Sequence, residues 1–593
     1  MNFVREKSLR GGVAGGRPGL LKNAAYLLAF MVVTHSAYAL PSGDEQIIRQ
    51  QQRQQEQERQ DRLNEPRVAL PVPEAVSADE KLPVESTCFV VNQVTLTIPL
   101  HALETLHLAD AGRLLNGEFH WLSPMAKRFA GRCVGAKGVE FIAKQLTQQL
   151  LDHGYITSRV LVPEQDLSGG RLALTVMPGW IGEIRFADPS LYGTWRSAFP
   201  TERGQLLNLR DLEQGLEQMK RVPSQDVDMQ IVPGKLAGES DVVIAIKRGK
   251  FWKVVATLDD TGSRSTGKYQ AGVSLALDNP LGLNDLLNIG YTHDADFNRG
   301  GLGSLGKSLY YSVPWGYWTL TATANESRYH QTIAGVAQDF VSSGVSDNMA
   351  LRINRLVYRD QSTQFSIQAQ TGKRITHSFI DDTEIEVQRR ANSFAELGFN
   401  YRRFWDQIQL DLTAAYRKGV PWFGAMQDFP TESEKVPTFY YQLQSLDATL
   451  VAPFRIGEMP LRYTGTLHGQ TTRDTLYFTE DLSIGSRFTV RGFDGENSLT
   501  AEKGFYWRNE VDTPLWNTGQ SVYVGVDYGQ VYGPNAVNLP GTRLAGAVLG
   551  LRGGYGSPAG SVSYDVFIGW PLYHPEGFGD GKPTTGFQLV YQY

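Results

Sequence analysis

Cysteine is nearly missing from this 593-residue chain: Cys88 and Cys133 stand alone, with no pair of histidines close by. A zinc site built on them is a poor fit, and in an oxidising compartment the two thiols are expected to be joined. No run of apolar residues reaches the roughly twenty that a membrane-crossing helix requires. The apolar stretch Ala24–Val33 is about half that length. An excess of one charge is lacking too, since 57 Lys and Arg face 62 Asp and Glu for a formal charge of -5. That balance offers no basic field, so no nucleic-acid partner is expected. None of these absences excludes a transmembrane β-barrel, whose strands are about ten residues long and turn only alternate side chains to lipid.

The length calls for two or three folding units. Basic residues through Lys22, the apolar stretch and Ala37-Tyr38-Ala39 form an export signal over residues 1–39, with the mature chain expected to begin near Leu40. Residues 40–64 are a Gln/Glu/Arg run, almost free of apolar side chains between Gly43 and Leu63, and residues 65–87 form a Pro-containing tether. The run reads either as a polar helix on a loose tether or as disorder. A helix this polar rests stably only in a wet place, such as the inside of a pore.

Between Cys88 and Gly249 the pattern alternates strands and helices on short loops. Val139, Ile142, Ala143, Leu146 and Leu150 share one helix face, and Gly154 is placed to end that helix. Strands are expected at Ser158–Val162 and Leu172–Val176. A second unit runs from Trp180–Phe186 through a helix carrying Leu209, Leu212, Leu216 and Met219 to strands near Val227–Val232 and Val242–Ile246. Two small α+β domains in tandem follow, over residues 88–178 and 179–249.

From Phe251 the period becomes two. Trp318, Leu320, Ala322 and Ala324 alternate with Thr319, Thr321, Thr323 and Asn325, and Leu461 to Leu467 alternates in the same way with Arg462, Thr464, Thr466 and His468. One face apolar and one polar is the signature of a barrel strand with lipid outside and water inside. Short turns such as Val313–Gly316 alternate with long polar connections such as Asp294–Lys307 and Gln427–Pro437. Residues 250–593 predict about sixteen strands of about ten residues. At the end, Phe587, Leu589, Tyr591 and Tyr593 alternate into a terminal aromatic, which suits a barrel that closes on its own terminus.

With these features in order, the chain resembles the TpsB family, the outer-membrane transporters of two-partner secretion. Gly154–Val160 with Val162-Pro163 resembles the first of the family's periplasmic POTRA domains, and Asp278–Asp285 its first barrel turn. Val490-Arg491-Gly492-Phe493 resembles the motif of a long loop, here around 480–505, that folds back into the pore. Tyr523–Gly529 resembles a motif of aromatic-x-Gly-x-Asp-x-Gly on a barrel strand, with Tyr523 where Phe is common, and Gly504 with Trp507–Glu510 accompanies it. The resemblance implies two POTRA domains, a removable plug helix and a pore that passes one large partner: a haemolysin, an adhesin or a contact-dependent toxin. Outer-membrane lipid, and barrel assembly machinery during biogenesis, are its other implied partners. An assembly factor that inserts other barrels is the rival reading.

Arg491 in a narrow lumen needs a carboxylate, which Arg can hold through two parallel hydrogen bonds. Asp527 is the expected partner, and if Gly525 and Gly529 share its face they leave room for the loop backbone. Gly301–Ser308 fits a phosphate-loop pattern, but an alternating strand from Lys307 follows where a helix should, and it is expected in a loop outside the cell. No cofactor, metal or enzymatic activity is expected: the sequence offers no grouping of nucleophile, base and orienting residue.

Overall fold

The computed structural model describes residues 42–71, 81–296, 300–335, 338–428, 436–516, 518–579 and 581–593; the expected export signal lies outside them. Helix α1 (Ser42–Asn64) comes first, and Arg62 in its last turn suits the negative end of the helix dipole. In the first α+β domain, β1 (Phe89–Val91) pairs with β3 (Arg132–Val134), while β2 (Gln93–Thr97), β5 (Arg171–Met177) and β4 (Arg159–Leu161) form a sheet in the order β2-β5-β4. Helices α2 (Leu100–Thr105), α3 (Ala111–Asn116), α4 (Leu122–Lys127) and α5 (Ala136–Asp152) complete it. The α5 stripe of Val139, Ile142, Ala143, Leu146 and Leu150 packs on Leu172, Leu174 and Val176 of β5. Its helix ends where Gly154 adopts φ +92°, a conformation that only glycine takes without strain. Cys88, just before β1, is bonded to Cys133 on β3, so the bridge staples the small two-stranded sheet.

The second domain has the sheet order β6-β8-β7, from β6 (Trp180–Phe186), β7 (Gln225–Pro233) and β8 (Glu239–Arg248). Its helix α6 (Leu209–Lys220) has two buried faces. Leu209, Leu212, Leu216 and Met219 enter the domain core, while Glu213, Gln214 and Gln218 are buried against the barrel.

Sixteen long antiparallel strands, with the short Thr383–Glu384, close into a barrel whose last strand, Thr584–Gln592, pairs with the first, Trp252–Asp259. Gln588, Leu589, Val590, Tyr591 and Gln592 lie in that seam, and the Tyr593 backbone adds two hydrogen bonds to Val254. The Lys250 ammonium stands 3.7 Å from the Tyr593 ring centroid and 4.6 Å from that of Trp252. Lipid-side residues such as Trp318, Leu320, Leu351 and Ile353 are exposed, in keeping with an apolar outer wall. Among the described residues no helix is long and apolar enough to cross a membrane; the strands do so.

Four expectations need correction. Most of the strands are longer than ten residues, reaching 20 at Phe340–Arg359 and 18 at Thr363–Ile380, because hairpin pairing continues past the hydrocarbon layer into water; the four around the closing seam, such as Trp252–Asp259 and Thr584–Gln592, stay at eight or nine. The turn at Val313–Gly316 narrows to residues 316–317, with Pro314 paired to Thr319 inside the ladder. Gly301–Ser308 is largely strand rather than loop, since Leu302–Trp315 begins five residues before Lys307. The tether is not loose where it is described: Val68 and Leu70 dock on the second domain, Leu82 packs on the first, and Glu85 caps α5. Burial opposes the charge of Glu85, but backbone N–H groups of Gly138, Lys137 and Gly135 hold its carboxyl below the usual range.

The bridge closes a loop of 45 residues, a constraint that chain entropy puts at about 4 kcal/mol. Cys88→Ala with Cys133→Ala should lower the denaturation midpoint of the first domain while the barrel keeps its heat-modifiable migration; an unchanged midpoint would show that the bridge adds no stability.

Candidate functional site

The wall of the site is the strand Gln520–Tyr532, where Tyr523, Gly525, Asp527, Gly529 and Val531 face inward and Val524 and Val526 face lipid. This is the period of two at work: one face must be apolar, so the polar and small residues fall on the other. The loop that meets this wall spans 473–502 and carries its own hairpin, Leu482–Ile484 paired with Leu499–Ala501. Leu482, Ile484, Val490 and Leu499 pack with Val531, Leu544 and Phe578 into an apolar cluster inside the lumen, and Phe493 sets its ring edge-on to Phe578 at 5.5 Å. That cluster holds the loop inward independently of charge.

At its centre Arg491 is 4% exposed and Asp527 0%. Arg491 donates through Nε to Asp527 Oδ2 at 2.7 Å and through Nη2 to Oδ1 at 2.9 Å, and its backbone N–H also donates to Oδ2 at 3.0 Å. Nη1 donates to Glu510, whose other oxygen accepts from Arg552. The carboxylate of Asp527 is completed by the Asn509 N–H at 3.2 Å. A guanidinium and a carboxylate removed from water are tolerable only with such complete pairing.

Close packing of backbone explains the glycines. A Cβ on Gly525 would lie 2.6 Å from Arg491 Nη2, and one on Gly529 2.8 Å from Val490 Cγ2. Gly492 adopts φ +109° with its Cα side against the Trp570 carbonyl, a place no side chain fits. Two further glycines, Gly546 and Gly569, take part: a Cβ on Gly546 would collide with the Arg491 carbonyl, and one on Gly569 would lie 2.8 Å from Gly492 Cα. Gly546 sits at a register shift between its strand and Gly560–Tyr573. Sequence reasoning passed over both, and also left Glu510 without a partner. Inward parity was the available signal: Gly546 lies opposite Asp527, and Gly569 opposite the inward Val548 on the following strand pair. Tyr523, where Phe is common in the resemblance, donates its hydroxyl to Asp565 at 2.7 Å and carries the Arg552 guanidinium over its ring at 4.0 Å.

Helix α1 lies in the same lumen. Arg49 donates to the carbonyls of Gly262 and Gly495, Gln52 to that of Ser483, and Ser486 donates to Gln52. Lower down, Glu56 pairs with Arg508 at 3.2 Å, Glu58 with Arg352 at 3.0 Å and Arg62 with Asp411 at 3.9 Å; just past the helix, Glu65 pairs with Arg402 at 2.8 Å. Arg508 also donates to the Phe488 carbonyl, so one guanidinium touches helix, loop and wall. The structure thus brings Val490, Arg491, Gly492 and Phe493 to the wall at Gly525, Asp527 and Gly529. Cys88 and Cys133 lie in the first α+β domain, and Phe587, Leu589, Tyr591 and Tyr593 along the closing seam.

A family model described as "Haemolysin secretion/activation protein ShlB/FhaC/HecB" matches residues 238–553, and POTRA models match residues 180–233 and, as the ShlB type, 109–179. The chain belongs to this family of outer-membrane secretion transporters. Outer membrane transporter CdiB-2 of Burkholderia pseudomallei is 45% identical over 94% of this chain and 95% of its own. Hemolysin transporter protein ShlB of Serratia marcescens is 28% identical over 74% of this chain and 78% of its own. Among solved structures, CdiB from Acinetobacter baumannii superposes with a TM-score of 0.80 at 28% identity, covering 93% of this chain and 99% of the other. The two α+β units are therefore POTRA1 and POTRA2. As in its relatives, the transporter's barrel sits in the outer membrane with the POTRA domains in the periplasm.

Two predictions follow from the clamp in this transporter. Arg491→Ala and Asp527→Ala should each cut export of its partner sharply with the barrel still assembled, and each strands a buried charge worth about 3–5 kcal/mol. In a double-mutant cycle on secretion the combined variant should fall short of the product of the single effects by at least about tenfold; simple multiplication of the two effects would mean the residues act separately. Gly546→Val should reproduce the Arg491→Ala defect without removing any charge, because it expels the loop backbone; wild-type export by that variant would show that the close approach is not needed.

Proposed function

We propose that this chain is the outer-membrane pore through which one large exported protein, received unfolded in the periplasm by the POTRA domains, reaches the cell surface. The observation that carries the reading is the way the lumen is closed. It is filled by α1 and the inward loop rather than by wall strands, and α1 is held by groups that water can replace. Among the helix's described side chains, Ile47 and Ile48 are the buried apolar ones, so it forfeits little hydrophobic stabilisation on leaving. The helical part of the closure is thus removable in energy as well as in topology.

The periplasm supplies no ATP, so the exported chain itself drives transit: it threads as an unfolded polypeptide and folds outside, which opposes return. POTRA domains take extended peptide at sheet edges or apolar grooves, and weak repeated contacts in the lumen keep transit from stalling. Arg491 and Asp527 act here as the clamp that holds the loop in its transport-competent place, and the partner is a haemolysin, an adhesin or a contact-dependent toxin. The terminal strand with Phe587, Leu589, Tyr591 and Tyr593 is the segment by which assembly machinery closes the barrel in lipid. Insertion of other barrels is less supported, since the relatives named are secretion transporters.

The function is tested by co-expressing large exported proteins of the haemolysin, adhesin and contact-dependent toxin kinds from the same source: the partner among them should reach the surface with the intact transporter and stay periplasmic without it. Surface delivery that persists without the transporter overturns the reading. Deleting residues 42–64 should raise single-channel conductance several-fold with the barrel assembled, because a helix about 10 Å wide fills much of the lumen. Unchanged conductance would show that α1 does not plug the pore.

A further inference from the structure

Between the lumen helix and POTRA2 the chain has almost no slack. Val68 N–H donates to Glu217 at 2.7 Å and Leu70 N–H to Glu213 at 2.9 Å, both on α6. The Val68 carbonyl accepts from Arg359 Nη2 at 2.6 Å, and the same guanidinium reaches Glu217 Oε1 at 2.7 Å and Glu213 Oε2 at 3.3 Å. Val68 is 8% exposed and belongs to the POTRA2 core. Arg67 donates to the Gln361 carbonyl at 2.9 Å and lies over the Phe404 ring. Residues 67–70 thus form a strap bonded at once to POTRA2 and to the periplasmic rim of the barrel.

The strap limits where α1 can go. The helix has 23 residues and is about 34 Å long. Its first turns contact the outer loops at Gly262 and Gly495, and its last turn reaches Asp411 near the periplasmic turn at 406–407. Leaving toward the periplasm therefore means sliding by about its full length. From Asn64 to Val68 four peptide steps span at most about 14 Å even when fully extended. With Val68 docked, the helix falls short of clearing the lumen by about 20 Å.

We propose that the α6 face of POTRA2 is a receptor for the extended segment 67–70, and that the docked strap is the catch that keeps α1 in the pore. The helix leaves only after the strap lifts from Glu213, Glu217 and Arg359. This rests on α1 being the plug, and it adds where the release is controlled: outside the lumen, on the periplasmic receptor domain. Opening is thereby linked to whatever competes for the α6 face.

The test lengthens the tether without touching a contact. Twelve Gly/Ser residues inserted between Pro66 and Arg67 add about 40 Å of reach while the strap and every lumen contact stay in place. Ile48→Cys is the reporter: Ile48 is 5% exposed, and both native cysteines are bonded, so this thiol alone reacts. Against the same reporter with the natural tether, the insertion should raise labelling by a membrane-impermeant maleimide at least tenfold and make bilayer openings frequent. Arg359→Ala, which frees the strap at natural length, should act in the same direction. An insertion variant with unchanged labelling and openings overturns the catch. Deletion of 42–64 separates the two readings: if deletion raises conductance and insertion does nothing, the catch fails and the plug stands, whereas if deletion also does nothing the plug reading falls.

Discussion

A guanidinium buried inside a closed wall of strands is the constraint on which the rest of this lumen depends. Arg491 is placed by a loop, not by the ladder, so nothing in strand pairing requires it to be there. It stays because Asp527 and Glu510 together accept from its side chain and Asp527 also accepts from its backbone. Each acceptor then fixes a neighbour: Glu510 takes Arg552, Arg552 lies on Tyr523, and Tyr523 donates to Asp565. Because the loop backbone must come so near, the wall is stripped of side chains at Gly525, Gly529, Gly546 and Gly569. The charge pair and the glycines are one requirement seen from two sides.

Polar closure has an energetic meaning. An apolar plug would lose roughly 25 cal/mol for each Å² of surface returned to water and would not leave readily. The contacts of α1 are instead ion pairs and amide hydrogen bonds, which water replaces at small net cost when they are part-exposed. The clamp behaves differently, since Arg491 and Asp527 are fully enclosed and breaking one partner is costly. A helix held by part-exposed contacts and a loop held by enclosed ones thus coexist in one cavity, distinguished by how far each charge is from solvent.

POTRA2 is not hung from the barrel by a flexible joint. The loop holding Thr194 and Ser197 is bonded to the first periplasmic turn through Asn284, Gly282 and Leu283, and to the second through Gly316. Arg359 completes the contact at a third strand end. The domain is thereby seated at the rim through three strand ends.

Much of this was legible in the sequence. A period of two over residues 250–593 specifies a barrel because only alternation lets one strand face lipid and water, and heptad-like spacing in Val139–Leu150 specifies the α5 stripe because burial selects one face. The run from Gly43 to Leu63 declared itself as something that needs water around it. Other features belonged to the tertiary structure alone. The sequence marks Gly546 and Gly569 as ordinary barrel glycines; only the folded loop shows that its backbone lies against them. Glu213 and Glu217 lie between the apolar positions of α6 and carry no mark of their own in the sequence; they became acceptors, Glu213 buried and Glu217 partly so, because the barrel rim covers that face. Local pattern records which side of an element avoids water, whereas which distant backbone or charge arrives on the other side is decided by closure of the barrel and docking of POTRA2 upon it.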